Sequence, residues 1–172
     1  MSPARPRQIP ITIDVEASGF GRGSYPIEVG LAFADQQAEG YLIRPAPDWT
    51  HWDPAAERVH GISRAQLLAE GRTVVEVAAL LNGRLAGNRV FSDAWSFDLS
   101  WVGRLYDAAG FSQHFRIDTA RRLLDETEIL FWQEARRQIE AEAGDVQRHR
   151  AGVDASLLQQ TVLRARVLAA RG

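Results

Sequence analysis

Four acidic residues and one histidine in this sequence have the types and surroundings expected of a metal-dependent hydrolase. Asp14 and Glu16 alternate with apolar residues in the segment 11–16, so on a β-strand both carboxylates point to one face. Asp98 and Asp154 each lie on the apolar side of a predicted helix. Burying a carboxylate is costly unless a cation compensates it, and neither helix offers lysine or arginine three or four residues further on. The pattern predicts a site for divalent cations.

The ligand chemistry indicates Mg²⁺ or Mn²⁺ rather than zinc, because carboxylate oxygens suit hard cations. Four carboxylates are enough to share two such ions, one activating water and the other stabilising the leaving oxygen of a phosphodiester. His149 is the candidate general base, since imidazole ordinarily titrates near neutral pH. Five helical residues give a rotation of about 140°. His149 and Asp154 can therefore face one site only if His149 lies in the loop before the helix.

Four short segments of the chain resemble the signatures of the DEDDh 3′-to-5′ exonucleases, a family that includes polymerase proofreading subunits, ribonuclease T and oligoribonuclease. The resemblance runs through the whole chain, and the last segment fits the family pattern H-x-A-x-x-D-A at every specified position. The segments are 14–19 (DVEASG), 60–63 (HGIS), 97–98 (FD) and 149–155 (HRAGVDA). Their order and separations make this family the leading interpretation.

The resemblance implies a role for each candidate residue. His149 would position or deprotonate the nucleophilic water. Backbone groups around Ala17 and Ser18 would meet the terminal 3′-hydroxyl, Phe20 would pack against the last base or sugar, and His60 would lie near the bound 3′ end. Two metal ions, Mg²⁺ or Mn²⁺, would be held by the four carboxylates Asp14, Glu16, Asp98 and Asp154.

Two positions depart from the family pattern. Ala17 and Ser18 stand where two threonines are common, and Asp93-Ala94 replaces a common His-Asn pair. Neither change affects a metal ligand, so both bear on substrate preference rather than on the chemistry.

Several aromatic and polar residues have two interpretations each. Trp49 and Trp52 are able to stack on bases, as aromatic side chains do in single-strand binding, or to close the core beneath a loop. His60 either serves the site or satisfies a turn before a glycine. Asp93 fits a turn residue better than a fifth ligand, and His51 has no assigned role.

Composition is consistent with a compact enzyme. With 172 residues, 45% of them hydrophobic, the chain suffices for a single exonuclease domain over 9–172 after an N-terminal tail over 1–8. The absence of cysteine excludes disulfides and thiolate metal sites. No signal-peptide pattern or apolar run of transmembrane length is present, which predicts a cytoplasmic protein with no membrane partner.

The net charge of −2 argues against a broad, sequence-independent grip on long duplexes, which normally requires a basic excess. Bound metal ions would reverse the local sign at the acidic site, so a phosphate could still enter. The expected partner is single-stranded nucleic acid, or a short oligonucleotide, with a free 3′ end.

Hydrophobic periodicity and turn residues predict an α/β fold with a mixed five-stranded sheet flanked by helices. The first three strands are expected to form an antiparallel meander, and the family resemblance sharpens the prediction to a ribonuclease H-like fold. Strands are predicted over 8–15, 27–34, 40–44, 89–92 and 115–117. Helices are predicted over 63–69, 74–85, from a cap at Ser96, over 119–143 with Gly144 as the stop, and from the His149 loop to about 170.

The leading hypothesis is a metal-dependent 3′-to-5′ exonuclease that releases nucleoside monophosphates from single-stranded DNA or RNA. The alternative is a nucleic-acid-binding or polymerase-associated proofreading module whose own activity is secondary. A homodimer and a polymerase partner both remain open, and so does the choice between DNA and RNA, which depends on contacts to the 2′-hydroxyl.

Overall fold

A computed structural model describes residues 8–144 and 149–171, which form a mixed five-stranded sheet flanked by helices. The strand order is β3-β2-β1-β4-β5. The antiparallel pairs β1/β2 and β2/β3 make the predicted meander, and β4 and β5 extend the sheet in parallel. The strands are β1 (Thr12–Ala17), β2 (Pro26–Ala32), β3 (Ala38–Leu42), β4 (Arg89–Ser92) and β5 (Arg116–Thr119).

Seven α-helices occur in the described residues, several of them started by side-chain caps. Asp53, Ser63, Thr73 and Asp125 each accept a hydrogen bond from a backbone N–H of the first turn that follows. The helices are α1 (Pro54–His60), α2 (Arg64–Glu70), α3 (Val74–Leu85), α4 (Trp95–Ala109), α5 (Glu126–Leu130), α6 (Trp132–Ala143) and α7 (Ala151–Ala169). A 3₁₀ turn spans Ala120–Leu123.

The two faces of β1 meet different parts of the molecule, as the alternation of its side chains requires. Ile13 and Val15 belong to the main core, which also contains buried side chains of α3 and α4. On the other face, the Thr12 hydroxyl donates to the Ala155 carbonyl of α7 at 2.7 Å. The buried Gln159 amide of α7 donates to the Pro10 carbonyl at 2.7 Å. These bonds lay α7 across the sheet on the acidic face of β1.

Two sequence predictions about helices are wrong, and one helix was not predicted. The single helix predicted over 119–143 is a 3₁₀ turn followed by α5 and α6, because Asp125 and Glu128 form a capping box that starts a new helix. Ser96 does not cap α4, which begins at Trp95 with Ala94 at the N-cap. Helix α1 was not predicted at all. Gly144 does terminate α6, with a φ of 58°.

Two further predictions concern the N-terminal tail and membrane-spanning segments. Of the predicted tail 1–8, only Gln8 is among the described residues. Within the described part of the chain, every helix is too short or too polar to cross a bilayer.

Candidate active site

All five residues of the predicted metal and base set line one cleft of about 750 Å³. They arrive from separate parts of the chain. Asp14 and Glu16 come from β1, Asp98 from the first turn of α4, His149 from the segment before α7, and Asp154 from the first turn of α7. Strand β1 and the N-terminal ends of two helices therefore supply every candidate ligand.

Glu16, His149 and Asp154 are the tightest group in the cleft. Each offers one ligand atom, and these atoms lie within 4.8 Å of one another. The His149 backbone N–H also donates to an Asp154 carboxylate oxygen at 3.1 Å. Among the residues that the structure describes, no other acidic or histidine cluster meets the same criterion. Asp14 and Asp98 line the same cleft outside this closest group.

His149 lies in the segment before α7, as the rotation argument predicts. Its backbone φ is +61°, in the left-handed region that non-glycine residues seldom occupy. Its side chain is exposed at the cleft. The left-handed backbone turns the chain at His149 immediately before the helix, which lets His149 and Asp154 approach each other.

Asp98 is the most deeply buried of the acids, with 1% of its surface exposed. The Ser92 hydroxyl at the end of β4 donates to its carboxylate at 2.5 Å. Burial raises the pKa of Asp98 to about 7, and the neighbouring charge of Asp93 adds to the effect while the Ser92 bond opposes it. The local structure thus holds a carboxyl group that resists ionisation in the metal-free protein.

The pKa values of the two acids on β1 are perturbed in the same direction as that of Asp98. Burial raises the pKa of Asp14 well above its usual range, and the carboxylates of Asp98, Glu16 and Asp154 raise it further. Burial and Asp154 raise the pKa of Glu16 to about 7. Among the described residues, the groups that shift the pKa of Asp14 and Asp98 include no arginine, whereas Arg150 lowers the pKa of Glu16. A set of crowded carboxyl groups with raised pKa values fits one or two hard divalent ions.

The raised pKa of Asp98 predicts a pH-dependent cost of folding without metal. An acid with a higher pKa in the folded state stabilises the protein below its unfolded pKa, and this contribution is lost as pH rises through about 7. In EDTA at pH 8, Asp98→Asn should therefore raise the free energy of unfolding by roughly 2–4 kcal/mol, since one pKa unit corresponds to about 1.4 kcal/mol. Denaturant unfolding at pH 5 and pH 8 measures it.

Asp107→Asn is the matched control for that experiment, because Asp107 is exposed on the same helix. It should change the unfolding free energy little at either pH. An Asp98→Asn protein that is less stable than its parent in EDTA at pH 8 would contradict the prediction.

The structure places some of the predicted substrate-binding residues at the cleft and one away from it. Ala17 and Phe20 line the cleft, whereas Ser18 is buried and is not among the lining residues. The Ser18 backbone N–H donates to Tyr25, and its carbonyl accepts from the Asp53 N–H. Its hydroxyl contacts the His51 ring at 2.9 Å. Through these bonds, Ser18 and His51 stabilise the loop between β1 and β2.

His60 lines the cleft and has one unused polar atom. Its Nδ1 accepts the Ile62 N–H at 3.0 Å, so the hydrogen of the neutral ring is on Nε2. Nε2 is buried and has no hydrogen-bond partner among the described residues. Burial lowers the pKa of His60, which keeps the ring neutral. The turn interpretation accounts for Nδ1 but leaves Nε2 without a role.

Three aromatic side chains form a step in the cleft beside the candidate metal ligands. The Phe20 and Phe97 ring centroids are 5.3 Å apart, and Trp101 lies 5.8 Å from Phe20. Phe20 and Phe97 remain 68% and 51% exposed while Trp101 is buried beneath them. Phe97 and Trp101 were missed as site residues, although their spacing of four positions on one helix placed both beside Asp98.

The structure also shows the contacts of the two tryptophans and the aspartate that had two interpretations each. Trp49 is buried in the main core and stacks on Tyr25, so the core interpretation holds for it. Trp52 is half-buried, and its indole N–H donates to Glu57 at 2.6 Å. Asp93 lines the cleft and accepts from Arg136 of α6 at 3.4 Å.

A buried acid and an arginine behind His149 were also missed. Glu28 of β2 receives hydrogen bonds from the Arg150 guanidinium and from the Ala151 N–H. The strand β2 reads as a continuous buried run, and nothing local in the sequence shows that Glu28 has a partner 122 positions away.

No protein-family model matches this sequence, and neither does any curated protein. Solved structures do match the fold. A zinc-bound complex of E. coli exonuclease I with single-stranded DNA superposes with a TM-score of 0.61 at 15% identity, over 94% of this chain. E. coli exonuclease I in complex with a dA16 oligonucleotide gives a TM-score of 0.61 at 14% identity, over 92% of this chain.

Exonuclease I from Methylocaldum szegediense gives a TM-score of 0.63 at 14% identity, over 91% of this chain. In each of these three comparisons the match covers 40% of the other chain. The likeness confirms the predicted ribonuclease H-like fold with its mixed sheet and flanking helices. At 14–15% identity the likeness shows the fold alone.

Proposed function

We propose that this chain is a metal-dependent 3′-to-5′ exonuclease of the DEDDh type, with the exonuclease domain over 9–172. Its substrate would be single-stranded DNA or RNA with a free 3′ end, and its product a nucleoside monophosphate. One observation carries the proposal: four acids and a histidine that are far apart in the sequence line a single cleft.

The donor set favours two divalent cations, Mg²⁺ or Mn²⁺. Asp14, Glu16, Asp98 and Asp154 would hold them, since crowded carboxylates of raised pKa gain most from a hard cation. When bound, such ions supply Lewis-acid polarisation of the phosphate and a lower pKa for water.

His149 is the base in this proposal. Its ring is exposed at the cleft within 4.8 Å of carboxylate oxygens of Glu16 and Asp154. It would accept the proton of the attacking water and release it to solvent after cleavage. Asp154, which accepts the His149 backbone N–H, keeps the histidine at this end of the cleft.

The step formed by Phe20, Phe97 and Trp101 would receive the terminal nucleotide. Exposed aromatic faces stack on any base, which suits an enzyme that acts without sequence preference. His60, which lines the cleft, would lie beside the terminal nucleotide, and Ala17 would approach its sugar. The Ser18 bonds to Tyr25 and Asp53 would hold this loop in shape.

The structural neighbours support the same class of activity, because they are complexes of exonuclease I with single-stranded DNA or an oligonucleotide. The net charge of −2 agrees with a substrate held at its end rather than along its length.

A short oligonucleotide labelled at its 5′ end tests the proposal, as DNA and as RNA, with either a 3′-hydroxyl or a blocked 3′ end. Mg²⁺ or Mn²⁺ should produce a ladder that shortens from the 3′ end, and EDTA or the 3′ block should stop it. Binding without cleavage in either metal would contradict hydrolysis and favour the binding-module alternative. Internal cuts would contradict the 3′-end specificity.

A further inference from the structure

Glu28 is an acid that the proposed chemistry does not use, although it lies next to the site. It is 2% exposed in the middle of the sheet. The β1/β2 register places it opposite Glu16, so the two side chains share the face covered by α7. Its carboxylate points to the start of that helix, as its bonding partners show.

Both carboxylate oxygens of Glu28 are engaged by two successive residues. Arg150 Nε donates to Oε1 and to Oε2, each at 3.1 Å, and Arg150 Nη2 donates to Oε1 at 2.6 Å. The Ala151 backbone N–H donates to Oε2 at 2.9 Å. Such charge-assisted, forked bonds fix geometry as well as adding energy. A buried ion pair adds little net stability over apolar packing. The main effect of the Glu28–Arg150 pair is therefore to fix the position of the backbone at the start of α7.

Glycines let the same segment press against the sheet. A Cβ atom on Gly30 would lie 1.9 Å from the Ala151 carbonyl carbon, so only glycine fits there. A Cβ atom on Gly152 would lie 3.0 Å from the Glu39 carbonyl oxygen. The backbone of 151–152 therefore rests directly on β2 and β3, and Glu28 holds it from the side.

His149 directly precedes this clamped segment. Its φ of +61° is a conformation that non-glycine residues seldom adopt and that persists only where the surroundings enforce it. The bonds from Arg150 and Ala151 to Glu28 begin one residue later. The position of the segment bound to Glu28 thus determines where the His149 side chain enters the cleft.

We propose that Glu28 is a positioning residue for His149: by binding Arg150 and the Ala151 N–H it fixes the backbone that presents the imidazole to the cleft. The inference rests on the proposed function of His149 as general base. Glu28 itself would touch neither metal nor substrate.

Glu28→Gln is the first test. The amide keeps the size of the side chain but turns an NH₂ group toward donors, so at least one of the bonds is lost. We expect kcat on a single-stranded oligonucleotide to fall about 10–100-fold, the range seen when supporting residues are lost, with KM and Mn²⁺ affinity within about threefold of the parent. Unchanged kcat in a folded variant would overturn the proposal.

A double-mutant cycle with His149→Ala separates positioning from a general structural role. If Glu28 acts through His149, Glu28→Gln should change kcat less than about twofold in the His149→Ala background. A loss of the same size in both backgrounds would mean that Glu28 only supports the fold, and it would overturn the proposal.

Arg150→Gln provides a second variant, which removes the guanidinium but keeps the bond from the Ala151 N–H to Glu28. Because it leaves the buried Glu28 carboxylate without its cation, its unfolding free energy is measured beside kcat. It should show a smaller loss of kcat with the same dependence on His149. Asp118→Asn is the matched control, because Asp118 also accepts bonds from two arginines but does not line the cleft. It should leave kcat unchanged.

Amide hydrogen exchange gives a readout that does not need activity. Glu28→Gln should accelerate exchange in 149–152, whereas Asp118→Asn should not. No acceleration would overturn the proposal even if activity fell. A parent protein that cleaves nothing would refute the proposed function, while the exchange result would still decide whether Glu28 fixes the segment.

Discussion

Replacing Asp14 with asparagine is expected to lower kcat by at least about 10³-fold, because charge stabilisation by bound metal is worth several kcal/mol and each 1.36 kcal/mol is tenfold in rate. Asp14 is the acid whose pKa is raised by all three other candidate ligands, so it lies at the centre of their charges. Asparagine has the same size but cannot neutralise a cation. Single-turnover cleavage of a 5′-labelled oligonucleotide in Mn²⁺ measures the loss.

The same variant should remain folded, since removing a buried carboxylate relieves repulsion in the metal-free protein. Asp35→Asn is the matched control, because Asp35 is exposed in the turn between β2 and β3. It should cleave at the parent rate. A well-folded Asp14→Asn protein that also cleaved at the parent rate would refute the metal site.

His149→Ala is expected to reduce kcat about 10²–10⁴-fold, the usual contribution of a positioned general base. Its effect should differ in kind from that of Asp14→Asn, because the four carboxylates that would hold metal remain. Mn²⁺ affinity measured by calorimetry should therefore stay close to that of the parent, while cleavage at saturating metal is slow.

His114→Ala is the control for the histidine variant. His114 is exposed, and the contact to Asn82 recorded at this residue comes from its backbone N–H, so truncating the ring should not affect cleavage. If His149→Ala lost metal binding together with activity, the ring would be a ligand rather than a base. The closeness of His149 to Glu16 and Asp154 makes that comparison decisive.

The sequence predicted the parts of the fold that local patterns determine. Helix α3 and strand β4 have the predicted bounds, because Thr73 caps the helix and an apolar strand follows a turn at Gly87. The 119–143 region was mispredicted because its apolar periodicity continues through α5 and α6. The capping box of Asp125 and Glu128 is a local signal that overrides it.

The candidate site was predictable only where motif residues carry it. Asp14, Asp98 and Asp154 stand out in sequence because each is an acid among apolar neighbours. Glu28 is also an acid among apolar neighbours, but none of the four motif segments contains it, and its partner is 122 positions away. The aromatic step of Phe20, Phe97 and Trp101 was overlooked because it forms only where α4 packs against the loop that contains Phe20.

The bond between Thr12 and Ala155 joins residues 143 positions apart in the sequence, directly beside the cleft. Closing so large a loop costs chain entropy that only the contacts made on closure can offset, so we expect this contact to form late in folding. In partly folded chains, β1 would be formed but α7 would not yet lie on it, so Asp154 and His149 would be absent from the cleft. During synthesis or refolding, such chains would be inert toward nucleic acid, and the return of activity would report completion of the last long-range contact.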